Sequence, residues 1–314
     1  MLKVYEGIDS IDDAMRGAVL SVGNFDGVHL GHQRILRTAH ALAQVSSAAV
    51  MVMTFEPHPF AVLHPDRSPP RLTPWPEKLR QLERAGAHVV VRLKAEVAIL
   101  SLSPEEFVRE ILIKRIHPSY IVEGPDFGFG RGRRGNVDLL AKMSAKGGFQ
   151  LHVVDPYRLA LSNGEHAVAS STVIRRLLTA GQGEDAAACL GRPYALVGTV
   201  VHGAAAGRHL GFPTINLDVG EQLVPAEGVY AGIAEVGGHR RCAAVSIGRR
   251  LTLGGGPLVV EAFVLDDRGD WYDATARLEI VRRLRDQMDF ESREALARQI
   301  ARDVEAIRTV ISVK

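Results

Sequence analysis

From residue 1 to about 180 the chain alternates short apolar runs with stretches of helical spacing. Residues 48–55 (AAVMVMTF) are almost wholly apolar, the mark of a strand buried on both faces. Further strands are predicted at 88–93, 119–122 and 150–154, with helices between them over 75–85, opened by Pro76, and over 139–146. Another helix is predicted to start at Ser103. The serine is a capping residue, Pro104 suits the first helical position, and Glu105 and Glu106 favour the positive end of the helix dipole. Strands alternating with helices predict a parallel sheet covered on both faces.

The pattern changes near residue 187. From Tyr194 onward glycines are frequent, and short β-branched runs recur at 195–201, 229–235, 242–247, 258–265 and 276–281. Turns at such close spacing read as an antiparallel barrel or sandwich. Leu296, Ile300, Val304, Ile307 and Ile311 then form a helical stripe over 292–311, expected to pack on a core. Leu190-Gly191-Arg192-Pro193 punctuates the change, so domains are expected at 1–186 and 187–314.

Composition narrows the function classes. At 46% hydrophobic and 24% charged residues, the chain has the mix of a globular protein with a full core. A net charge of +2 gives no global basic field, which argues against a nucleic-acid binder. Cys189 and Cys242 lie far apart without a CxxC motif, which fits inert thiols in a reducing cytoplasm. No run approaches the roughly 18 apolar residues of a membrane helix, and the N-terminus lacks a signal-peptide core, so a cytoplasmic protein off the membrane is expected.

The most informative stretch is 22–33, Val-Gly-Asn-Phe-Asp-Gly-Val-His-Leu-Gly-His-Gln, between the apolar run 18–22 and the helix-like run 33–39. A strand-to-helix junction is where an α/β protein places phosphates, because free N–H groups and the helix dipole favour negative charge there. His29 and His32 share a face if the first turn is helical, and Gly31 between them lets an anion approach the backbone. This points to a nucleoside triphosphate site with imidazoles stabilising charge on phosphate oxygens. The stretch resembles the signature of HxGH nucleotidyltransferases in the form found in FAD synthetases, matched at Gly23, Phe25, Asp26, Gly27, Val28, His29, Gly31 and His32. A structural pair of histidines, or half of a metal site, is the plainer alternative for His-x-x-His alone; no His-Glu-x-x-His occurs.

Three later segments extend the resemblance. Thr54-Phe55-Glu56-Pro57-His58-Pro59 follows a buried strand, where a parallel sheet lines its crevice. Residues 123–130, Glu-Gly-Pro-Asp-Phe-Gly-Phe-Gly, are similar to the family's Gly-x-Asp-Phe-x-Phe-Gly, with Asp126 expected to help fix a ligand. Pro125 and Gly128 depart from it; an arginine is common at the latter, and Arg131, Arg133 and Arg134 stand just downstream. Ser170-Ser171-Thr172-Val173-Ile174-Arg175 is similar to the family's Ser-Ser-Thr-x-Ile-Arg, which implies phosphate contacts from Ser171, Thr172 and Arg175. Hydroxyls before a helix are also ordinary caps.

Residues 130–135, Gly-Arg-Gly-Arg-Arg-Gly, match G-x-G-x-x-G, with Asp155 following 20 residues after Gly135. The context argues against a dinucleotide site: the first glycine comes about seven residues after the strand ends near Glu123, and bulky arginines fill the turn.

The C-terminal part has no Gly-x-x-x-x-Gly-Lys-[Ser/Thr], which excludes a P-loop kinase. Glycines 203, 207 and 211 let a loop bend towards a ligand, and Thr214 and Asn216 alternate along an extended segment, so both point to one side. Their oxygens are hard donors suited to Mg²⁺ bridging phosphates. Gly-x-x-x-Gly-Phe-Pro-Thr-x-Asn resembles the riboflavin kinase signature, continued by 225–230 (Pro-Ala-Glu-Gly-Val-Tyr). That resemblance implies nucleotide contacts at Gly203, Gly207, Gly211, Thr214 and Asn216, magnesium at Thr214 and Asn216, and Glu261 as general base on the ribityl hydroxyl. Ser246, Leu251 and Asp286 depart from the family pattern; Arg285, beside Asp286, is the expected flavin contact.

Taken together the chain resembles bifunctional riboflavin kinase/FAD synthetases over essentially its whole length. The resemblance implies a Rossmann-like nucleotidyltransferase domain and a riboflavin-kinase-like antiparallel β-barrel with a terminal helix. It implies ATP, riboflavin, FMN and FAD as substrates or products, Mg²⁺ as cofactor, and no nucleic-acid partner. Two alternatives stand beside it: an FMN adenylyltransferase with an impaired, flavin-binding kinase-like domain, and a non-catalytic flavin sensor.

Overall fold

The computed structural model describes residues 1–203, 212–249, 258–267 and 269–312. The chain forms two compact units: 1–69, 75–159 and 166–169 in the first; 70–74, 160–165 and 170–314 in the second.

The first unit is built on six strands, β1 (Lys3–Glu6), β2 (Val19–Val22), β3 (Val50–Phe55), β4 (Val89–Leu93), β5 (Tyr120–Glu123) and β6 (Gln150–Val153). They pair in parallel in the order β1-β4-β3-β2-β5-β6. Residues 50–54 are buried without interruption, as a strand covered on both faces requires. Met51 and Met53 enter one core with Leu20, Val89 and Leu112, while Val50 and Val52 enter another with Leu36, Leu82 and Val90. The expected helices occupy Trp75–Arg84 and Val137–Gly147. Ser103 closes a capping box with Glu106. Beyond it, Phe107–Ile116 winds as a π-helix, which its ordinary apolar spacing does not foretell.

The order of strands places the functional crevice. The chain crosses from β2 to β3 on one side and returns to β5 on the other, so the carboxyl ends of β2 and β5 form a topological switch point. The two segments singled out in the sequence, 22–33 and 123–130, leave these two ends.

The second unit is a closed antiparallel barrel of β9 (Tyr194–Val201), β10 (Thr214–Asp218), β11 (Gly228–Val236), β12 (His239–Arg249), β13 (Leu258–Val264) and β14 (Thr275–Arg285), the labels β7 and β8 belonging to short strands at Arg158–Ala160 and His166–Val168. Closure in the order β10-β13-β12-β11-β14-β9 leaves no free edge and decides for a barrel over a sandwich. The helix Arg293–Ser312 packs Ile307, fully buried, with Ala231 and Leu265, and Val304 and Ile311 adjoin that cluster. Its apolar stripe is therefore core packing. Helices Ser171–Thr179 and Gly183–Leu190 also belong to this unit. Among the described residues no helix is long and apolar enough to cross a membrane.

Candidate active sites

In the first unit the turn after β2 is strained. Phe25 (φ 47°) and Val28 (φ 40°) occupy the left-handed region, as does Gly27 (φ 86°). For a β-branched residue such as Val28 this is an outlier, of a kind that persists where surrounding structure over-determines it. Here both side chains are almost fully buried, and two bonds hold the turn: Thr54 Oγ1 donates to the Asn24 carbonyl at 3.1 Å, and Gln33 Nε2 donates to the Val28 carbonyl at 2.8 Å. The strain delivers His29 to the N-cap of the helix Leu30–Ser46, where its Nδ1 accepts from the His32 N–H at 3.4 Å. The two imidazoles stack with centroids 3.7 Å apart, and Phe25 lies 4.8 Å from His32. His29 and Asp26 are both buried, at 7% exposure. A Cβ at Gly31 would come within 3.1 Å of the Ala169 carbonyl and the His29 ring, so the glycine keeps the imidazole in place as well as baring the backbone. At Gly23 a Cβ would press on the Phe25 ring at 3.2 Å.

The neighbouring carboxyl end of β5 carries Glu123, 3% exposed. Its carboxylate accepts from the Val22 N–H at 2.5 Å and from Ser21 Oγ at 3.4 Å, tying β5 to the last residues before Gly23. Burial pushes the Glu123 carboxyl well above the usual carboxylate range, and these two bonds oppose the shift. The sequence reading missed this residue; an acid ending an otherwise apolar strand, Tyr-Ile-Val-Glu, is the signal that could have found it.

Beside this junction lies a cavity of about 430 Å³, walled by Phe55, His58, Phe60, Phe107, Phe127 and Phe129 among others and reaching Gly23 and Asn24. His58 is fixed at both ring nitrogens: Nδ1 accepts from the Phe60 N–H at 3.0 Å, and Nε2 meets Asn24 Nδ2 at 2.9 Å. Asp126 is exposed, in the turn closed by the Phe127 N–H on the Gly124 carbonyl. Ser171, Thr172 and Arg175 belong to the second compact unit. There Ser170 is the cap, its Oγ accepting from the Val173 N–H at 3.3 Å, and Arg175 Nε donates to the Pro70 carbonyl at 2.8 Å.

In the barrel, Thr214 and Asn216 sit two apart on β10, as the alternation requires. Asn216 faces Glu261 of β13 in register, and Glu261 faces Ser246 of β12, so these three residues form a row across adjacent strands. Asn216 is 5% exposed, and its Oδ1 has no hydrogen-bond partner among the described residues. A buried acceptor without a donor is costly unless a cation or ligand completes it. The donor set, amide and hydroxyl oxygens with a carboxylate opposite, fits a hard divalent ion. A Cβ at Gly203 would overlap the Asn216 amide, so glycine is required there. A second cavity of about 460 Å³ opens against Thr214, Asp267, Asp270, Trp271 and Tyr272. Gly207, Gly211 and Leu251 lie outside the described residues. No group of three or more His, Cys, Asp or Glu that could hold a metal occurs among the described residues, so any ion here depends on neutral oxygens as well.

The FAD synthetase family model matches residues 11–172 and the riboflavin kinase model residues 190–311. The bifunctional riboflavin kinase/FMN adenylyltransferase of Escherichia coli (strain K12) is 34% identical over 304 residues, 96% of each chain. The chain belongs to the bifunctional riboflavin kinase/FMN adenylyltransferase family. The relative of that name from Listeria monocytogenes is also 34% identical, over 92% of this chain and 91% of its own. A crystal structure titled a macrolide-efflux protein from Streptococcus pneumoniae aligns with a TM-score of 0.85 at 30% identity, over 98% of both chains.

Against the family pattern, the departures now have addresses. Ser246 stands beside Glu261 in the row, and its Oγ accepts from Gln287 Nε2 at 3.0 Å. Asp286 accepts from Arg283. Arg285, the expected flavin contact, is committed elsewhere: its Nε and Nη2 grip the Asp303 carboxylate at 2.8–3.2 Å, with Gln299 Nε2 also donating to that carboxylate.

Proposed function

We propose that the barrel phosphorylates riboflavin with ATP to give FMN, and that the α/β unit transfers AMP from a second ATP to FMN, giving FAD and pyrophosphate. The observation that carries this reading is the pair of matches in one chain, FAD synthetase over 11–172 and riboflavin kinase over 190–311. FMN, the product of the kinase reaction, is the substrate of the adenylyl transfer, and we take 186/187 as the boundary between the two activities.

In the adenylyl transfer, an oxygen of the FMN phosphate attacks the α-phosphorus of ATP, the bond from that phosphorus to the bridging oxygen breaks, and pyrophosphate leaves. No protein nucleophile is needed. His29 and His32, stacked at the head of a helix, hold phosphate oxygens as charge builds on them. Gly23, Phe25, Asp26, Gly27 and Gly31 shape the turn that presents them, His58 and Asp126 help hold the nucleotide, and Ser171, Thr172 and Arg175 supply further phosphate contacts. The aromatic cavity beside Gly23 suits the flat isoalloxazine ring.

In the kinase reaction Glu261 takes the proton of the ribityl hydroxyl as its oxygen attacks the γ-phosphorus, the bond from that phosphorus to the β,γ-bridging oxygen breaks, and ADP leaves. Thr214 and Asn216 would hold Mg²⁺, which when bound neutralises charge on the ATP phosphates; the unpartnered Asn216 Oδ1 supports this. Gly203, Gly207 and Gly211 let the backbone approach the nucleotide. Arg285 touches flavin in this reading only if its grip on Asp303 leaves a donor over. A cytoplasmic setting, with both cysteines as free thiols, accompanies the proposal.

The competing reading, an adenylyltransferase with a kinase-inactive barrel, is motivated by Ser246 next to Glu261. One assay separates them, and a flavin sensor besides: purified protein with riboflavin, ATP and Mg²⁺, with FMN and FAD resolved by chromatography. FAD from supplied FMN but no FMN from riboflavin would leave only the adenylyltransferase. No turnover with either flavin would leave the sensor.

A further inference from the structure

The arginine-rich loop 130–135 is not a dinucleotide fingerprint, yet it is firmly built. Phe129 and Gly135 exchange both backbone bonds, at 3.1 and 2.9 Å, and the Arg131 N–H donates to the Leu102 carbonyl at 2.7 Å. Gly130 (φ 69°) and Gly132 (φ 64°) are left-handed, and so is Arg133 (φ 55°). A Cβ at Gly130 would meet the Pro104 backbone at 2.7 Å, and one at Gly135 the Phe129 ring at 2.6 Å. The left-handed region is unfavourable for a non-glycine residue, and the fold keeps an arginine there.

The result is that Arg133 turns back over Gly128. Its guanidinium atoms lie 3.0–3.2 Å from where a Gly128 Cβ would stand, and Nη2 donates to the Asp126 carbonyl at 3.3 Å. No carboxylate pairs with it among the described residues. It also lines the aromatic cavity that reaches Gly23 and Asn24, and among the described residues no other Arg, Lys, Asp or Glu does so. An apolar, aromatic chamber with a single permanent cation at its wall fits a flat ring that carries an anionic tail.

We infer that Arg133 is the residue by which the first site tells FMN from riboflavin, its guanidinium pairing with the FMN phosphate. This rests on the adenylyltransferase reading of that site. A guanidinium with five donors, one spent on the Asp126 carbonyl, can still grip a phosphate in bidentate fashion. Loss of a hydrogen-bonded charge pair of this kind corresponds to an affinity change of about ten- to a hundredfold.

The test is steady-state FAD formation from FMN by the full chain and its Arg133→Ala and Arg133→Lys variants. Lumiflavin, the ring without its ribityl phosphate, serves as competitive inhibitor, and riboflavin phosphorylation by the barrel as a check on folding. Arg133→Ala is expected to raise KM for FMN about ten- to a hundredfold and to leave KM for ATP, the lumiflavin Ki and riboflavin phosphorylation unmoved. Arg133→Lys should recover part of the loss. A KM for FMN that does not move, or a lumiflavin Ki that rises in step with it, overturns the inference, because the residue would then be idle or merely shaping the chamber. Failure of the unaltered protein to make FAD would sink the adenylyltransferase reading itself, and is distinguishable from both.

Discussion

Asn216 on β10 lies directly opposite Glu261 on β13, so an amide oxygen without a partner among the described residues and a carboxylate share one face of the barrel wall. Antiparallel register fixes the pair, because a one-residue slip of either strand would move its side chain to the other face.

The first prediction tests that pair. Glu261→Gln keeps shape and register but removes the base, so FMN formation from riboflavin should fall by about 10²–10⁴-fold, while FAD formation from supplied FMN stays intact. Asn216→Ala should instead raise the Mg²⁺ concentration needed for half-maximal kinase rate. A Glu261→Gln protein that loses both reactions equally would contradict two separate sites.

His29 has two jobs, capping a helix and presenting an imidazole, and they can be separated. Asparagine is a good N-cap, so His29→Asn should retain stability, whereas His29→Ala should lose about 1 kcal/mol of unfolding free energy. Both should lower FAD formation by about 10²–10³-fold, with riboflavin phosphorylation unchanged. Urea unfolding alongside chromatographic assay of both flavins checks this; adenylation that survives in His29→Asn would assign His29 to structure alone.

Arg285 and Asp303 join the end of β14 to the C-terminal helix, and both are largely buried, at 16% and 7% side-chain exposure. Removing one partner of a buried pair strands the other charge, at a cost of about 3–5 kcal/mol. Asp303→Ala and Arg285→Ala should each destabilise by that order, and the double variant by much less than the sum. The unfolding midpoints of the three proteins decide it. Additive effects would free Arg285 from this role and favour its use on flavin.

Much of this is legible in the amino-acid sequence. The apolar run ending at Phe55 announced a strand buried on both faces, Ser103-Pro104-Glu105-Glu106 announced a capped helix start, and the stripe ending at Ile311 announced a packed helix, because each depends on neighbours within one turn or one pleat. The His29–His32 pair was legible for the same reason. What the chain did not disclose depends on distant partners. Arg285 meets Asp303 from 18 residues away, Glu123 meets Val22 from 101 away, and Arg133 reaches Gly128 only because Gly130, Gly132 and Arg133 itself adopt positive φ. Sequence spacing carries no trace of such closures.

Glu123 offers a pH-dependent test of the β2–β5 junction. Its carboxyl titrates above the usual range in the folded protein, chiefly because it is buried, so between its unfolded and folded values the unfolded chain is ionised while the native one still holds the proton. The native state then binds more protons than the unfolded state, and stability declines as pH rises through that interval. At acid pH, where both states are protonated, the group is neutral to stability. Glu123→Gln cannot ionise, yet its amide oxygen can still accept from the Val22 N–H. The variant should therefore gain on the parent as pH rises from about 4.5 towards neutrality, by about 1.4 kcal/mol for each unit that separates the two titrations. Glu123→Val removes the acceptor and leaves the Val22 N–H buried and unpaired, so it should be less stable than Glu123→Gln by about 1–3 kcal/mol at every pH. Denaturant unfolding across the pH range measures all three. A difference between Glu123→Gln and parent that stays flat with pH would show that the carboxyl ionises alike in folded and unfolded chains, and would remove Glu123 as a buried, proton-holding tie behind Gly23.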